Sequence, residues 1–171
     1  LLALDIKEGD EVITTNFTYV ASTNAILYVG AKPIFCEISI NDLNIDTNKI
    51  QEKITSKTKA ILYTNVYGFL CNYEKLNTIA VKHGLYLIED AAESFGGIFK
   101  NQMSGTLGDI STFSFFGNKT ITTGERGMVL CKNRKHHSKI IQLKNQGNSK
   151  KTYFHDVLGY NYRMTNIQAA I

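Results

Sequence analysis

Residues 109–127 are Asp-Ile-Ser-Thr-Phe-Ser-Phe-Phe-Gly-Asn-Lys-Thr-Ile-Thr-Thr-Gly-Glu-Arg-Gly. The apolar, β-prone run from Ile110 to Phe116 predicts a strand that stops at Gly117. One lysine, Lys119, follows at the start of a polar loop. Ligands bind at the strand ends of open α/β sheets, and a lysine amine there can form a Schiff base with a carbonyl compound. On these residues alone, a solvated loop lysine is the commoner explanation.

The rest of the chain alternates between predicted strands and helices. Strands are predicted at 8–15 (a turn running into a strand), 33–38, 59–66, 86–89 and 127–132. Helices are predicted at 19–28, over Ile45, Ile50 and Ile54, over Tyr73, Leu76, Ile79 and Ala80 up to Gly84, at about 135–146, and from Met164 to Ile171. This alternation predicts an α/β fold, with a mostly parallel sheet, right-handed crossovers and helices on both faces.

Composition indicates one globular α/β unit. The chain has 171 residues, is 43% hydrophobic and has a single proline, which is ordinary for a domain with a sizeable core. It has neither an apolar run long enough to span a membrane nor a basic, then apolar, N-terminal leader, so a cytoplasmic protein is expected. Both ends look cut, because 1–4 resembles the tail of a helix and 164–171 the opening of one.

Cysteines and basic residues bound the remaining possibilities. Cys36, Cys71 and Cys131 are far apart and form no metal-ligand pattern, so reduced, buried thiols and no metal site are expected. A basic cluster raises nucleic-acid binding as an alternative, but no aromatic residues interleave with it for base stacking, which favours a solvated helix face. The cluster comprises Lys132, Arg134, Lys135, Lys139 and Lys144.

The strand ends are poorly suited to nucleotides. The chain contains no Gly-x-Gly-x-x-Gly, and 117–120 departs from the Gly-Lys-Thr of a P-loop. Pyridoxal phosphate instead requires a lysine, a carboxylate to keep its pyridine nitrogen protonated, phosphate donors and a stacking side chain. Asp90, after a buried strand, suits the carboxylate, although it could equally cap a helix. Ser114 could reach a phosphate, although a serine in a strand is more often only a sheet residue.

Several motifs, in order along the chain, resemble one family. They are Glu89-Asp90-Ala91-Ala92-Glu93-Ser94, Phe113-Ser114-Phe115-Phe116-Gly117-Asn118-Lys119, Thr123-Gly124-Glu125 and Gly159-Tyr160-Asn161-Tyr162-Arg163-Met164. Two shorter runs, 9–13 and 57–61, also fit. Together they resemble the DegT/DnrJ/EryC1/StrS sugar aminotransferases over essentially the whole chain.

The resemblance implies a fold-type I, pyridoxal phosphate-dependent transferase, of which 1–171 would be the central part of the large, cofactor-binding domain. It also implies roles residue by residue. Lys119 would be the Schiff-base lysine and the proton carrier. Asp90 would pair with the pyridine nitrogen, Tyr19 would stack on the ring, and Glu93 would lie near the ring hydroxyl. Ser114 would bind the phosphate, which Asn161 would reach from the partner subunit. A homodimer with shared active sites follows from the last role. On the residues alone, Tyr19 also fits a core aromatic and Asn161 a helix cap.

The implied reaction moves an amino group from glutamate to the 4-keto carbon of a nucleotide-linked keto-deoxysugar. Within the family, the likeness of residues 110–125 and 155–161 implies GDP-4-keto-6-deoxymannose as the substrate. The product would be used to make O-antigen or another surface polysaccharide. The partners would therefore be small molecules and a second subunit, with no nucleic acid and no membrane. The alternatives are a sugar dehydratase of the same fold, in which histidine replaces the lysine, and a non-catalytic, ligand-sensing relative.

The chain departs from the family pattern in two places. Where the family has Gly-Glu-Gly-Gly, this chain has Gly124-Glu125-Arg126-Gly127. If position 126 requires a positive φ, the arginine there costs about 1 kcal/mol or more of stability. The second departure is the absence of two segments, namely the helix-opening Gly-Thr/Ser segment that binds phosphate and the small C-terminal domain. A helix N-terminus is a natural phosphate site, so 1–171 alone is expected to hold the cofactor poorly.

Overall fold

The computed structural model describes residues 1–149, 151 and 153–171. Its strands are β1 (Glu11–Thr15), β2 (Lys32–Cys36), β3 (Thr58–Thr64), β4 (Tyr86–Asp90), β5 (Ile98–Phe99), β6 (Gln102–Met103), β7 (Ile110–Ser114) and β8 (Gly127–Cys131). Its helices are α1 (Val20–Tyr28), α2 (Tyr73–His83), α3 (Arg134–Lys144) and α4 (Asn166–Ala170). Three short 3-10 turns occupy Leu2–Leu4, Gln51–Lys53 and Val66–Gly68.

The main sheet has six strands in the order β2-β1-β3-β4-β7-β8. All neighbouring pairs are parallel except β7 and β8, which are antiparallel. The predicted, mostly parallel α/β sheet is therefore confirmed. Because the strands run in parallel, the carboxyl ends of β1, β3, β4 and β7 meet at one edge, which is where ligands bind in such sheets.

Both faces of the sheet are buried. Alternate side chains along each strand point to opposite faces and form two hydrophobic cores. Ile61 and Leu87 pack with Leu76 of α2 on one face. Leu62 and Ile88 pack with Ile26 of α1 on the other. Successive strand residues point to opposite faces, so the apolar runs serve helices on both sides.

The helix predicted over Ile45, Ile50 and Ile54 is wrong. Only the Gln51–Lys53 turn is helical, and Ile45 forms an isolated antiparallel bridge with Ile38. The preceding turn takes Leu43 to φ 58° and buries Asn44, whose Nδ2 donates to the carbonyl of Phe69 at 3.1 Å. Ile45 and Ile50 do enter the core. These isoleucines are thus buried in extended and turn conformations, and their helical spacing does not reflect a helix.

Other predicted bounds shift by one to three residues. The strands predicted at 59–66 and 110–116 end at Thr64 and Ser114, and 135–146 is helical as Arg134–Lys144. A short antiparallel hairpin, β5–β6, lies between β4 and β7, and the sequence pattern does not predict it. No helix within the described residues is long and apolar enough to cross a membrane.

The three cysteines are free thiols in the structure. Cys36 and Cys71 are buried as predicted, whereas Cys131 is only partly buried. Burial raises the pKa of Cys36 to about 11 and also raises the pKa of Cys71. These two thiols are therefore neutral core groups at physiological pH.

The basic cluster is partly engaged in the fold. Lys132 donates from Nζ to the carbonyl of Leu107 at 2.8 Å, and Lys139 forms an ion pair with Asp5. Arg134 and Lys135 lie exposed in the first turn of α3. At least two of the five charges therefore have intramolecular roles.

Candidate active site

Asp90 ends β4 at the carboxyl edge of the sheet, with both carboxylate oxygens engaged. The hydroxyl of Ser22, in the first turn of α1, donates to Oδ2 at 2.6 Å. The backbone N–H of Ala92 donates to Oδ1 at 3.1 Å. A hydrogen bond to a charged carboxylate is short and strong. The side chain is therefore fixed in direction, while each oxygen keeps a lone pair for a further donor.

Hydroxyl groups connect Asp90 to two neighbouring strands. Thr18, in the loop after β1, has its hydroxyl 3.3 Å from that of Ser22 and donates to the hydroxyl of Thr64, at the end of β3, over 3.1 Å. The network thus runs from Thr64 through Thr18 and Ser22 to Asp90. Sequence reasoning missed these hydroxyls, since no local pattern distinguishes them from other serines and threonines.

The loop that carries Lys119 begins at Ser114 and returns at Arg126. The backbone N–H of Phe115 donates to the carbonyl of Arg126 at 2.9 Å, and the N–H of Lys119 donates to the carbonyl of Phe116 at 3.0 Å. The Ser114 hydroxyl accepts the N–H of Phe116 at 3.3 Å. The loop is therefore closed at its base by the β7–β8 ladder.

Lys119 and Glu93 form an ion pair at this edge. Nζ of Lys119 lies 3.6 Å from Oε1 of Glu93, and the two side chains are 19% and 30% exposed. Oε2 of Glu93 accepts the backbone N–H of Tyr67 at 2.8 Å. Asp90 and Glu93 are three residues apart in the same segment, so the structure brings the predicted lysine and both predicted carboxylates to one strand-end region.

The other predicted residues lie around this centre. Ser114 is partly buried at the end of β7. Tyr19 is the N-cap of α1 and is 74% exposed, so it is not a core aromatic. Asn161 is exposed, and its carbonyl accepts a hydrogen bond from the Arg126 guanidinium at 3.4 Å. Asn161 does not cap α4, whose N-cap is Thr165.

Arg126 adopts φ 80°, the left-handed region that favours glycine. The next residue, Gly127, has no room for a side chain, because a Cβ there would lie 2.3 Å from the carbonyl oxygen of Phe113. The close approach of β7 therefore excludes a Cβ at Gly127, and Arg126 beside it occupies a conformation that favours glycine. The positive φ on which the predicted cost of the arginine depends is therefore present, and the cost itself stays a prediction.

Glu89 lies fully buried beneath the site, and its importance was also missed. Each carboxylate oxygen accepts three hydrogen bonds at 2.9–3.3 Å, and no cation is among the donors. The donors are Nδ2 of Asn65, the hydroxyls of Ser104 and Ser111, and the backbone N–H groups of Gly105, Leu107 and Gly108. A charged residue inside an otherwise apolar strand is the signal that could have indicated such a network.

This set of groups fits pyridoxal phosphate. A fixed carboxylate with free lone pairs suits a protonated ring nitrogen, and a primary amine at the same sheet edge suits an aldehyde. The hydroxyl of Ser114 lies at the end of the adjoining strand. The residues present can therefore serve the nitrogen, the aldehyde carbon and a phosphate of such a cofactor.

Comparison with known proteins gives a consistent result. The model of the DegT/DnrJ/EryC1/StrS aminotransferase family matches residues 1–171. GDP-perosamine synthase of Escherichia coli O157:H7 is 52% identical over 172 residues, covering 100% of this chain and 47% of that protein. The chain thus spans about half the length of the curated relatives it matches.

Solved structures share the fold closely. The aminotransferase of Psychrobacter cryohalolentis superposes with a TM-score of 0.95 at 35% identity, over 99% of this chain and 46% of that one. NtdA of Bacillus subtilis, solved with its cofactor PMP bound, gives a TM-score of 0.93 at 34% identity, over 99% of this chain and 39% of that one.

Proposed function

The chain belongs to the DegT/DnrJ/EryC1/StrS aminotransferase family, and from that premise we propose that it supplies the cofactor-binding core of a pyridoxal phosphate-dependent sugar aminotransferase. The proposed reaction takes an amino group from glutamate and delivers it to the 4-keto carbon of a nucleotide-linked keto-deoxysugar. The chain covers about half of its relatives, so the activity is proposed for the full-length protein.

One observation carries the proposal, namely the meeting of Asp90, Glu93 and Lys119 at the carboxyl edge of the sheet. Asp90 has fixed geometry through Ser22 and Ala92, and Lys119 lies against Glu93. A family dehydratase would have histidine in place of Lys119, so the lysine favours amino transfer.

Pyridoxal phosphate, when bound, supplies an aldehyde that accepts an amino group and a ring that withdraws electrons from the reacting carbon. Asp90 would hold a proton on the ring nitrogen, and the Ser22 hydroxyl would keep the Asp90 carboxylate aimed at it. Nζ of Lys119 would carry the proton to and from the reacting carbon of each substrate. Ser114 would bind the phosphate, Tyr19 would stack on the ring, and Glu93 would lie near the ring hydroxyl.

The proposed sugar is GDP-4-keto-6-deoxymannose. Its support is the 50–52% identity to proteins named GDP-perosamine synthase in Escherichia coli O157:H7 and Vibrio cholerae. A product of this kind would enter O-antigen or other surface polysaccharide, and its synthesis from a nucleotide sugar would be cytoplasmic.

We further propose a homodimer in which Asn161 reaches the partner's site. Support comes from the exposed apolar side chains that flank Asn161 in the described residues. Leu158 is 83% exposed, Tyr162 65% and Ile167 78%, and large exposed apolar side chains so close in sequence favour an interaction surface.

The test uses the full-length protein with added pyridoxal phosphate. Wild type is expected to show a visible absorption band that Lys119→Ala lacks and that disappears on addition of glutamate. GDP- and dTDP-linked 4-keto sugars would then identify the acceptor, since only the correct one restores the band. A folded, dimeric wild type without any lysine-dependent band would refute the proposal and favour a non-catalytic relative.

A further inference from the structure

Glu93 lies between the backbone of one loop and the amine of another. Its Oε2 accepts the N–H of Tyr67 at 2.8 Å, and its Oε1 lies 3.6 Å from Nζ of Lys119. The two oxygens thus serve different partners, one neutral and one cationic. A glutamine at this position could accept the N–H of Tyr67 but could not neutralise an ammonium group.

Tyr67, whose backbone N–H donates to Glu93, is held in an unfavourable backbone conformation. Tyr67 has φ 52°, in the left-handed region, within the 3-10 turn Val66–Gly68. Such backbone persists only where the surroundings impose it, and it concentrates at functional sites. Here the result is an N–H group that points at the carboxylate of Glu93.

The turn is anchored independently of Lys119. Asn65, which precedes it, is fully buried and donates from Nδ2 to Glu89 at 3.0 Å and to Ser94 at 3.2 Å. Its Oδ1 accepts the N–H of Cys71 at 3.0 Å. The core therefore fixes the position of the Glu93 carboxylate, and this position does not depend on Lys119.

We propose that Glu93 is a positioning residue that holds the amine of Lys119 whenever this lysine is not bonded to the cofactor. The inference rests on the proposed function, because an aminotransferase lysine must be released and recaptured in each half reaction. A fixed carboxylate beside the released amine keeps it from swinging into solvent. It also returns Nζ to one place for the next bond.

The test is selective labelling of Lys119 in the full-length protein freed of cofactor. Trinitrobenzenesulfonate is applied to wild type, Glu93→Gln and Glu125→Gln, and the extent of labelling at Lys119 is measured by peptide mass spectrometry, with the exposed Lys75 as internal reference. Glu125 is an exposed carboxylate of the same loop and provides the matched control. The Lys119 to Lys75 ratio is expected to rise about two- to fivefold in Glu93→Gln alone, the size expected for a partly exposed ion pair.

Equal ratios in all three folded proteins would overturn the proposal, as would the same rise in Glu125→Gln. Glutamine preserves the hydrogen bond from Tyr67, so the variant is expected to fold, which circular dichroism checks. Failure of the proposed function is detected separately, by borohydride reduction of wild type with pyridoxal phosphate. Absence of cofactor mass on Lys119 there would refute the aminotransferase, whatever the labelling ratios show.

Discussion

Replacing Glu89 by glutamine is expected to destabilise the fold more than any exposed charge-to-amide change. The carboxylate is fully buried and accepts six hydrogen bonds, three on each oxygen. Glutamine keeps one oxygen and places an NH2 group where the other was. That NH2 then faces three donors instead of accepting from them.

The magnitude depends on which oxygen is lost. An NH2 at the Oε2 position would face the N–H groups of Leu107 and Gly108, neither of which can become an acceptor. At the Oε1 position it would face the N–H of Gly105 and Nδ2 of Asn65, whose Oδ1 is already used. Either way two buried donors lose their partner, at about 1–3 kcal/mol each. Because a neutral side chain is cheaper to bury, the lower half of the resulting range applies, a loss of about 2–4 kcal/mol.

Urea unfolding of the full-length protein, followed by far-ultraviolet circular dichroism, measures this loss. Glu52→Gln, at an exposed position in a 3-10 turn, is the control and is expected to change stability by no more than about 0.5 kcal/mol. If Glu89→Gln also stayed within that limit, the six-donor network would not be holding the loop at 104–108, and the reasoning would be refuted.

Three further changes test other parts of the structure. Arg126→Gly removes a side chain at φ 80° and is expected to raise stability by about 0.5–1 kcal/mol; an unchanged or lower melting temperature would contradict this. Ser22→Ala removes the 2.6 Å bond to Asp90 and is expected to weaken pyridoxal phosphate binding roughly tenfold without unfolding the protein, because a hydrogen bond to a charged group is worth about 1.5–3 kcal/mol; unchanged affinity in a spectroscopic titration would count against it. Burial raises the pKa of Cys36 from 9.0 to about 11, so its contribution to stability is complete below pH 9 and is lost as pH rises to about 11; wild type should lose stability across that interval more steeply than Cys36→Ala, and parallel curves would disprove the linkage.

The sequence predicts the parallel sheet well because burial on both faces leaves continuous apolar runs. Segments such as 59–66 could hardly be anything but central strands. The segment 45–54 misleads for the same reason, since its isoleucines are buried and happen to fall at helical spacing. What decides its conformation is the turn at Leu43 and Asn44, whose amide reaches Phe69. That contact joins residues 25 apart in the chain, so local periodicity carries no trace of it.

Some residues of the candidate site can likewise be predicted from the sequence, and others cannot. Lys119 and Asp90 could be proposed because each follows an apolar strand, and parallel topology brings strand ends together. Tyr67 and Ser22 could not, since their importance lies in a backbone N–H and a hydroxyl that tertiary structure aims at Glu93 and Asp90. Hydrogen-bond partners of this kind become visible only once the sheet order is known.

Glu89 and Asp90 are adjacent carboxylates, and the pleat of β4 gives them different environments. Glu89 points with Leu87 to the face covered by α2, where six neutral donors of the described residues surround it. Asp90 points with Ile88 towards α1 and, within the part of the chain that the structure describes, receives two donors, Ser22 and Ala92. A carboxylate whose lone pairs are all engaged can only stabilise structure, whereas one with free lone pairs can still bind a ligand. Amide substitution at the two positions should therefore separate stability from cofactor binding, with Glu89→Gln lowering the urea midpoint and Asp90→Asn lowering pyridoxal phosphate affinity.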